Sequence, residues 1–324
     1  MLLRRRVLLS ASLAGAVMLA APAWAQDSYP KKPIRIIVPY SAGTPPDIAT
    51  RIVAHHMSTG LGPTVIENKP GAAGAVALAE LMRQPADGYT LMTMLQPITV
   101  APALFANFKF DLARDIQPVG QFTRYSNILV VHPDVKATTV EQLVDLMKKN
   151  PQGFSFASGG AGTPAHLSGE LFKQLANVSA THVPYNQFTL GIQDLVAGRV
   201  QFMFVTSSAI MQFIEQGKVR PIAVTGTRRL ANAPMIATMA ESGYPKFDVT
   251  GWDGLVARSG TPAPIIERLN AELSRAARRP DVEERLTALG VEPVTGTPAA
   301  FGALISSEVV RWGTLVRNAG FKAE

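Results

Sequence analysis

The chain has 324 residues, no cysteine and a formal net charge of +7 at pH 7. Without cysteine it can form no disulfide, no thiolate metal site and no cysteine nucleophile. Its basic residues are spread along the chain instead of forming a block, which argues against nucleic acid as a partner. A chain of this length can form two domains with separate cores.

The first 25 residues have the pattern of a signal peptide. Arg4–Arg6 form a basic start, an apolar run extends from Val7 to Ala21, and residues 23–25 (Ala-Trp-Ala) fit a cleavage site. The apolar run is too short to favour a membrane-spanning helix. The paired arginines also fit a twin-arginine signal, so the export route stays open. We predict an exported protein that begins near Gln26 and has a net charge of about +4.

The first folded stretch predicts a strand, a loop of small residues and a helix. Ile34–Val38 is almost wholly apolar, as is typical of a parallel strand buried on both faces. Asp47 is predicted to cap the helix, because apolar residues recur at helical spacing after it. The intervening loop, Ser41–Pro46, leads into a helix N-terminus, whose N–H groups and positive end can bind an anion. An ordinary βα turn is the alternative for this loop taken alone.

The alternation of strands and helices continues to about Arg124. Thr64–Glu67 and Tyr89–Leu95 are predicted strands, and a helix through Leu78 lies between them. The glycines before that helix do not form G-x-G-x-x-G, which argues against a dinucleotide site. Gln96 follows the last of these strands, and its polar side chain is predicted to face a cleft.

A second loop of the same design lies further along the chain. Phe122–Val131 is a predicted strand that changes surroundings halfway, and Phe154–Ala157 is another. The loop Ser158–Pro164 then leads into a helix, with Thr163 as the N-cap and a proline as the first helical residue. We expect its backbone N–H groups and two hydroxyls to converge on one small volume.

The rest of the chain predicts the overall fold class. Strands are predicted at His182–Tyr185, Gln201–Val205 and Arg220–Thr225, and Phe247–Val256 is predicted to return the chain to the first domain. Alternating strands and helices imply parallel sheets with right-handed crossovers, and ligands bind beyond the carboxyl ends of such strands. Both small-residue loops lie at such ends. If they belong to different domains, they can face one another across a cleft.

Five segments carry a resemblance to a known family: YPKKPIRIIVPYSAG, VIENKPGAAGAVA followed by DGYTL, FASGGAGTPAHLSGELF, GWDGLVARSGTP and RWGTLVRNAGFKAE. Over essentially its whole length, the chain resembles the substrate-binding receptors of tripartite tricarboxylate transporters, the periplasmic Bug family. The resemblance implies the type II periplasmic binding-protein fold, which has two α/β lobes, a hinge crossed twice and a ligand cleft between the lobes. We expect residues 26–124 and 248–324 to form the first lobe and residues 125–247 the second.

The resemblance also implies a function. It implies a monomer that captures a small organic carboxylate by lobe closure and delivers it to membrane permease subunits, without a cofactor, a metal or a dedicated arginine clamp. Arg124 and Arg199 are the arginines that could still reach the ligand. The predicted substrate-binding residues are Tyr40, Ser41, Ala42, Gly43, Thr44, Gln96, Ser158, Gly159, Gly160, Gly162, Thr163, Tyr185, Asn186 and Thr206.

The chain departs from the family pattern in two places. Asn186–Thr189 stands where members usually have a basic-Gly-x-x-Pro-like run, and Phe204-Val205 stands where Phe-Asp is common. An acid is therefore missing near the predicted cleft, and an aromatic residue is added. Both changes favour a carboxylate with an apolar or aromatic body over a hydroxylated, citrate-like acid.

Two other functions fit parts of the sequence. A serine hydrolase could use Ser158 and His166, but the chain contains no G-x-S-x-G elbow, and His166 is predicted to be a packing or cap-region residue. A periplasmic sensor that passes its ligand to a signalling partner would have the same lobes and loops. The binding receptor accounts for more of the sequence than the hydrolase, so we expect a protein that is not an enzyme.

Overall fold

The computed structural model describes residues 29–185 and 187–320. The predicted signal peptide and Asn186 lie outside these ranges. Within them, no helix combines the length and the apolar character needed to cross a bilayer.

The described chain alternates strands and helices almost throughout. Its first part contains β1 (Ile34–Val38), α1 (Pro45–Leu61), β2 (Thr64–Asn68), α2 (Ala75–Met82), β3 (Thr90–Leu95) and α3 (Ala101–Leu104). The middle contains β4 (Ile116–Val131), α4 (Val140–Lys149), β5 (Ser155–Ser158), α5 (Pro164–Ala176), β6 (Thr181–Pro184), α6 (Phe188–Val196), β7 (Phe202–Thr206), α7 (Ser207–Glu215) and β8 (Arg220–Val224). The last part contains β9 (Thr250–Arg258), α8 (Ala263–Ala277), α9 (Pro280–Ala288), β10 (Glu292–Pro293) and α10 (Pro298–Ala319).

Strand β4 joins two sheets of the same design. Its residues 116–126 pair antiparallel with β9, and residues 127–131 pair antiparallel with β7 and β8. Sheet one has the order β2-β1-β3-β9-β4, and sheet two has the order β6-β5-β7-β4-β8. The prediction of a strand that changes surroundings halfway is therefore confirmed, although β4 begins earlier than predicted, at Ile116.

In each sheet, one strand that connects the two sheets runs antiparallel to the strands of the βαβ units. The strands β1 and β5 pair in parallel with their neighbours, as expected for βαβ units. By contrast, β9 runs antiparallel to β3, and β4 runs antiparallel to β7. The chain thus crosses between the sheets along β4 and returns into β9. We call the parts built on sheet one and sheet two the first and second lobes.

The C-terminal helix contributes side chains to the cores of both lobes, and α3 adds Leu104 to the second-lobe core. Phe301 and Ile305 of α10 pack into a first-lobe cluster, whereas Trp312 and Val316 pack into a second-lobe cluster with Phe172. Burial of aromatic and aliphatic side chains of this size is the main stabilising contribution in such cores. Helix α10 therefore spans both lobes along their length.

Helix α1 begins differently from the prediction. Thr44 is the N-cap, and Asp47 lies inside the first turn, so the prediction of Asp47 as the cap is wrong. Two prolines start this helix, because their missing N–H groups are not needed there. The Asp47 carboxylate accepts hydrogen bonds from Gly43 N, Arg51 Nε and Asn68 Nδ2. Burial opposes its ionisation, but these hydrogen bonds outweigh it and lower the pKa of Asp47.

Candidate functional site

Two adjoining cavities lie between the lobes. Cavity A has a volume of about 310 Å³ and cavity B about 360 Å³, and both include Tyr40, Pro97 and Thr163. Cavity A is completed by Pro45, Pro46, Leu95, Tyr125, Asn127, Gly159, Pro164, Ala165, Phe188, Thr206, Ser208, Asp253, Leu289 and Val291. Cavity B is completed by Pro39, Ser41, Thr44, Pro70, Gly71, Ala72, Ala73, Gly74, Ile98, Leu104, Phe105, Ala161 and Gly162. Residues from both lobes line each cavity.

The structure brings half of the predicted binding residues to these cavities. The residues that line a cavity are Tyr40, Ser41, Thr44, Gly159, Gly162, Thr163 and Thr206. Those that lie beside the cavities without lining them are Ala42, Gly43, Gln96, Ser158, Gly160 and Tyr185. The two predicted loops therefore do meet between the lobes, but they contribute fewer residues than expected.

Gln96, which the sequence predicts to face the cleft, lines neither cavity. Its side chain is fully buried, and its amide atoms have no hydrogen-bond partner among the described residues. The neighbouring Leu95 and Pro97 line cavity A instead. Gln96 begins a 3-10 helix, Gln96–Thr99, directly after β3, and this turn leaves its side chain enclosed by protein.

Both loops use many of their own hydrogen-bond donors to hold their shape. In the first loop, Gly43 N donates to Asp47, while the backbone N–H and the hydroxyl of Thr44 donate to Ser41 O. In the second loop, Gly162 N donates to His166 Nδ1 at 3.1 Å, and Thr163 Oγ1 donates to Gly160 O at 2.8 Å. Prolines also begin α1 and α5 and remove further donors.

A third helix start supplies the donors that these loops lack. Helix α7 begins with Ser207 directly after β7, and no side chain of the described residues caps it. The first N–H groups of a helix have no intrahelical partner, and the helix dipole makes that end positive. Because Thr206 and Ser208 line cavity A, this end of α7 faces the cavity. Thr206 is among the predicted binding residues, but the sequence does not predict this helix start as part of the site.

Ser158 shapes the second loop and does not face a cavity. Its hydroxyl lies 2.6 Å from His182 Nε2 and accepts a hydrogen bond from Gly160 N at 3.0 Å. The residue has no exposed surface. The rings of His166 and His182 stack with centroids 4.0 Å apart, and burial lowers the pKa of His166 to about 3 and that of His182 to about 4. Both imidazoles are therefore neutral at pH 7.

The Ser158–His182 contact does not form a hydrolase site. A nucleophile must reach its substrate, and here the oxygen is buried and neither residue lines a cavity. His166, which the hydrolase hypothesis paired with the serine, instead accepts a hydrogen bond from Gly162 N. Its cap-region role is thus confirmed.

We expect Ser158→Ala to destabilise the fold more than it weakens ligand binding. The change removes a buried acceptor from Gly160 N and the hydroxyl partner of His182, and one unpaired buried group costs about 1–3 kcal/mol. Urea unfolding measures this loss, with Ser41→Ala in the exposed first loop as the control. An unchanged free energy of unfolding would contradict the structural role.

No Lys, Arg or His side chain of the described residues lines either cavity. Arg124 Nη2 lies 2.9 Å from the carboxylate of Glu292, and Arg199 Nη1 lies 2.6 Å from that of Asp194. Both arginines that could have reached a ligand are therefore paired elsewhere. An anion in these cavities would be held by backbone groups and hydroxyls.

The aromatic residue expected near the cleft is present. Phe188 lines cavity A at the start of α6, together with Leu289 and Val291. Tyr185, in contrast, donates a hydrogen bond to Asp194 Oδ2 at 2.6 Å and lies outside both linings. Cavity A therefore has an apolar wall that suits the body of a ligand.

One of the cleft residues absent from the predicted set is the acid Asp253 on β9. It lines cavity A and is 1% exposed. Its Oδ2 accepts a hydrogen bond from the Thr123 hydroxyl at 2.6 Å, while Oδ1 has no partner among the described residues. Burial raises the pKa of Asp253 to about 6, against the effect of the Thr123 hydrogen bond. A lone acid in the otherwise apolar strand segment GWDGLVA was the available signal.

Two α/β lobes, a chain that crosses between them twice and cavities lined from both sides define a two-lobed solute-binding protein. The comparisons with known proteins then give the family. Residues 49–321 match the model of the tripartite tricarboxylate transporter family receptor, and the chain belongs to this family.

Individual relatives agree with this assignment. The protein BugT of Bordetella pertussis is 32% identical over 94% of this chain and 94% of BugT. A structure of R. palustris Rpa4515 with adipate is 30% identical, covers 90% of this chain and 98% of that chain, and has a TM-score of 0.77. A structure of MatC from Rhodopseudomonas palustris with bound malate is 29% identical, covers 89% and 100%, and has a TM-score of 0.75.

These comparisons confirm the resemblance and the two-lobed type II fold class. They also confirm that the protein is a periplasmic solute-binding receptor and not an enzyme, since the family consists of such receptors.

Proposed function

We propose that this receptor captures a small organic carboxylate between its lobes and delivers it to the permease subunits of a tripartite tricarboxylate-type transporter. The observation that carries the proposal is a pair of cavities lined from both lobes, in which α7 presents an uncapped N-terminus and no described side chain is basic. Similar proteins have been seen with adipate and malate, both of which are carboxylates.

The proposed mechanism is lobe closure. The first lobe would comprise residues 26–124 and 248–324, and the second residues 125–247, so that the hinge lies in β4 and before β9. The C-terminal half of α10 packs against the second lobe. A ligand that contacts both lobes stabilises the closed arrangement and shifts the equilibrium toward it. Tyr40 from one lobe and Thr163 from the other both border the two cavities, so one ligand can bridge them.

We expect the carboxylate to lie at the start of α7, beside Thr163 at the start of α5. The N-terminal turn of α7 has no side-chain cap and carries a positive partial charge, which can hold an anion without an ionic partner. The hydroxyls of Thr163, Thr206 and Ser208 border the same space. The body of the ligand would pack against Phe188, which favours an apolar or aromatic acid.

A thermal-shift screen of mono- and dicarboxylates on the mature protein tests the proposed function. We expect at least one acid to stabilise the protein by about 2.7 kcal/mol at one hundred times its dissociation constant, since it binds only the folded state. We expect no turnover of that acid. Steady hydrolysis of an ester or amide by the pure protein, lost in Ser158→Ala, would overturn the proposal.

We also propose that the chain is exported and cleaved after Ala25. Intact mass spectrometry of protein from the periplasm should give a chain that begins at Gln26. Cytoplasmic protein that retains residues 1–25 would contradict this.

A further inference from the structure

Asp253 is the only carboxylic acid among the described residues that line either cavity. It reaches cavity A from β9, where its backbone lies in register with Thr123 of β4. The Thr123 hydroxyl satisfies Oδ2, and Oδ1 remains without a partner among the described residues. A buried acceptor of this kind is costly unless something in the cavity donates to it.

A second buried acceptor borders the same cavity. The side-chain oxygen Oδ1 of Asn127, on β4, also has no partner among the described residues, and Asn127 is 4% exposed. Asp253 lies on β9 in sheet one, and Asn127 lies on the part of β4 that pairs with β7 in sheet two, so both lobes present an unpaired acceptor. A ligand that fills this space satisfies both acceptors directly only if it brings hydrogen-bond donors as well as its acid group.

A simple carboxylate cannot meet this requirement. When ionised it only accepts hydrogen bonds, and beside Asp253 it would place two like charges in a buried space. A protonated amine presents three N–H donors and a positive charge. Because no described basic side chain borders cavity A, a cation brought by the ligand would have no competitor for Asp253.

We propose that Asp253 receives a protonated nitrogen of the ligand, so that this receptor selects a carboxylate that also carries an amino group. This inference rests on the proposed function, in which the acid end lies at the start of α7 across cavity A. Asp253 is then a specificity-determining residue, and Asn127 accepts a second N–H of the same group. The volume of about 310 Å³ is at the small end for ligand sites, which fits a compact amino acid.

Calorimetry with matched ligand pairs tests the proposal. The probes are butanoate with 4-aminobutanoate, succinate with aspartate, and 3-phenylpropanoate with phenylalanine, so that the members of each pair differ only in an amino group. For at least one pair we expect the amino member to bind at least tenfold more tightly to the mature wild-type protein. This preference should disappear in Asp253→Asn and persist in Asp134→Asn, which removes an exposed acid outside both cavities.

The pH dependence of binding distinguishes an ionised Asp253 that accepts from an ammonium group from a protonated Asp253 that donates to a carboxylate. The titratable groups near Asp253 are Tyr40 and Tyr125, and burial together with the Asp253 charge raises the pKa of both, to about 12 for Tyr40. Asp253 is thus the group near the site that titrates between pH 5 and 7.5. Its ionised form binds an ammonium group, so we expect the affinity for the amino member to rise across this range.

Three results would overturn the proposal. If the amino-free acids bind as well as their amino partners, and bind more tightly at pH 5 than at pH 7.5, a protonated Asp253 donates to the ligand. The amino-group preference is then wrong, while the proposed carboxylate function is retained. If neither member of any pair binds, although other carboxylates do, the amino-acid preference is wrong. If no carboxylate of any kind stabilises the protein, the proposed function fails as well.

Discussion

Replacing Gly162 by alanine is expected to weaken ligand binding about tenfold or more. Gly162 lies in the second-lobe loop at a φ of +78°, and an added Cβ would be 2.5 Å from Cδ1 of Leu104 on the first-lobe helix α3. Leu104 is 5% exposed, packs in the core cluster that contains Phe172 and also borders cavity B, so the added methyl group pushes its side chain out of that packing or into the cavity. Either movement disturbs the contact between α3 and the second-lobe loop that closes over the ligand, and a loss of 1.4 kcal/mol in binding free energy corresponds to a factor of ten.

A neighbouring glycine provides the matched control. Gly160 also has a positive φ, +107°, but an added Cβ there would have no atom within 4 Å. Gly160→Ala thus carries the backbone cost of a left-handed residue, about 1–2 kcal/mol, without the contact to the other lobe. Calorimetry should show the larger affinity loss in Gly162→Ala. Equal losses in the two variants would mean that loop strain, and not lobe contact, controls binding.

Replacing Asp253 by asparagine is expected to stabilise the ligand-free protein by up to about 3 kcal/mol at pH 7.5. Burial raises the pKa of Asp253 from its ordinary 3.8 to about 6, and each unit corresponds to 1.36 kcal/mol. A raised acid pKa means that the fold prefers the protonated carboxyl. The stability that protonation of Asp253 contributes to the folded wild type is therefore complete below pH 3.8 and is lost as the pH rises through 6. Asparagine has the same shape and remains neutral.

Urea unfolding at pH 4, 5.5 and 7.5 measures this effect as the difference between variant and wild type. The buried His166 and His182, whose pKa values are lowered, destabilise both proteins equally as the pH falls below 6.5, so they cancel in the difference. The gain should shrink toward zero at pH 4. A variant that is less stable at every pH would show that the ionised carboxylate is well accommodated. A stability cost at a binding residue is common, because sites are selected for function.

The sequence predicts those parts of the fold that depend on local pattern. The apolar runs of β1 and β3 and the small-residue loops are visible in the chain, and so is the strand that changes surroundings, β4. Each follows from side-chain periodicity or from glycine and proline positions. The two cavities form where these predicted loops meet.

Which side chains face the cavities depends on tertiary contacts that local sequence patterns do not show. Asp253 meets Thr123 across 130 residues of sequence, and no local pattern reveals that pairing. Ser158 looked like a ligand contact because it begins a glycine-rich loop, but His182 of the adjacent strand takes its hydroxyl. The N-terminus of α7 faces cavity A because β7 ends at Thr206 beside the cavity, and the sequence alone does not show this position.

The proposed function requires that backbone and hydroxyl groups hold a carboxylate between the lobes without a basic side chain. The most direct test is calorimetric titration of the acid that gives the largest thermal shift into wild type and the double variant Arg124→Gln/Arg199→Gln. We expect dissociation constants that agree within about twofold, because both arginines pair with acids outside the cavities. Loss of binding in the double variant would show that an ion pair holds the acid and would contradict the account.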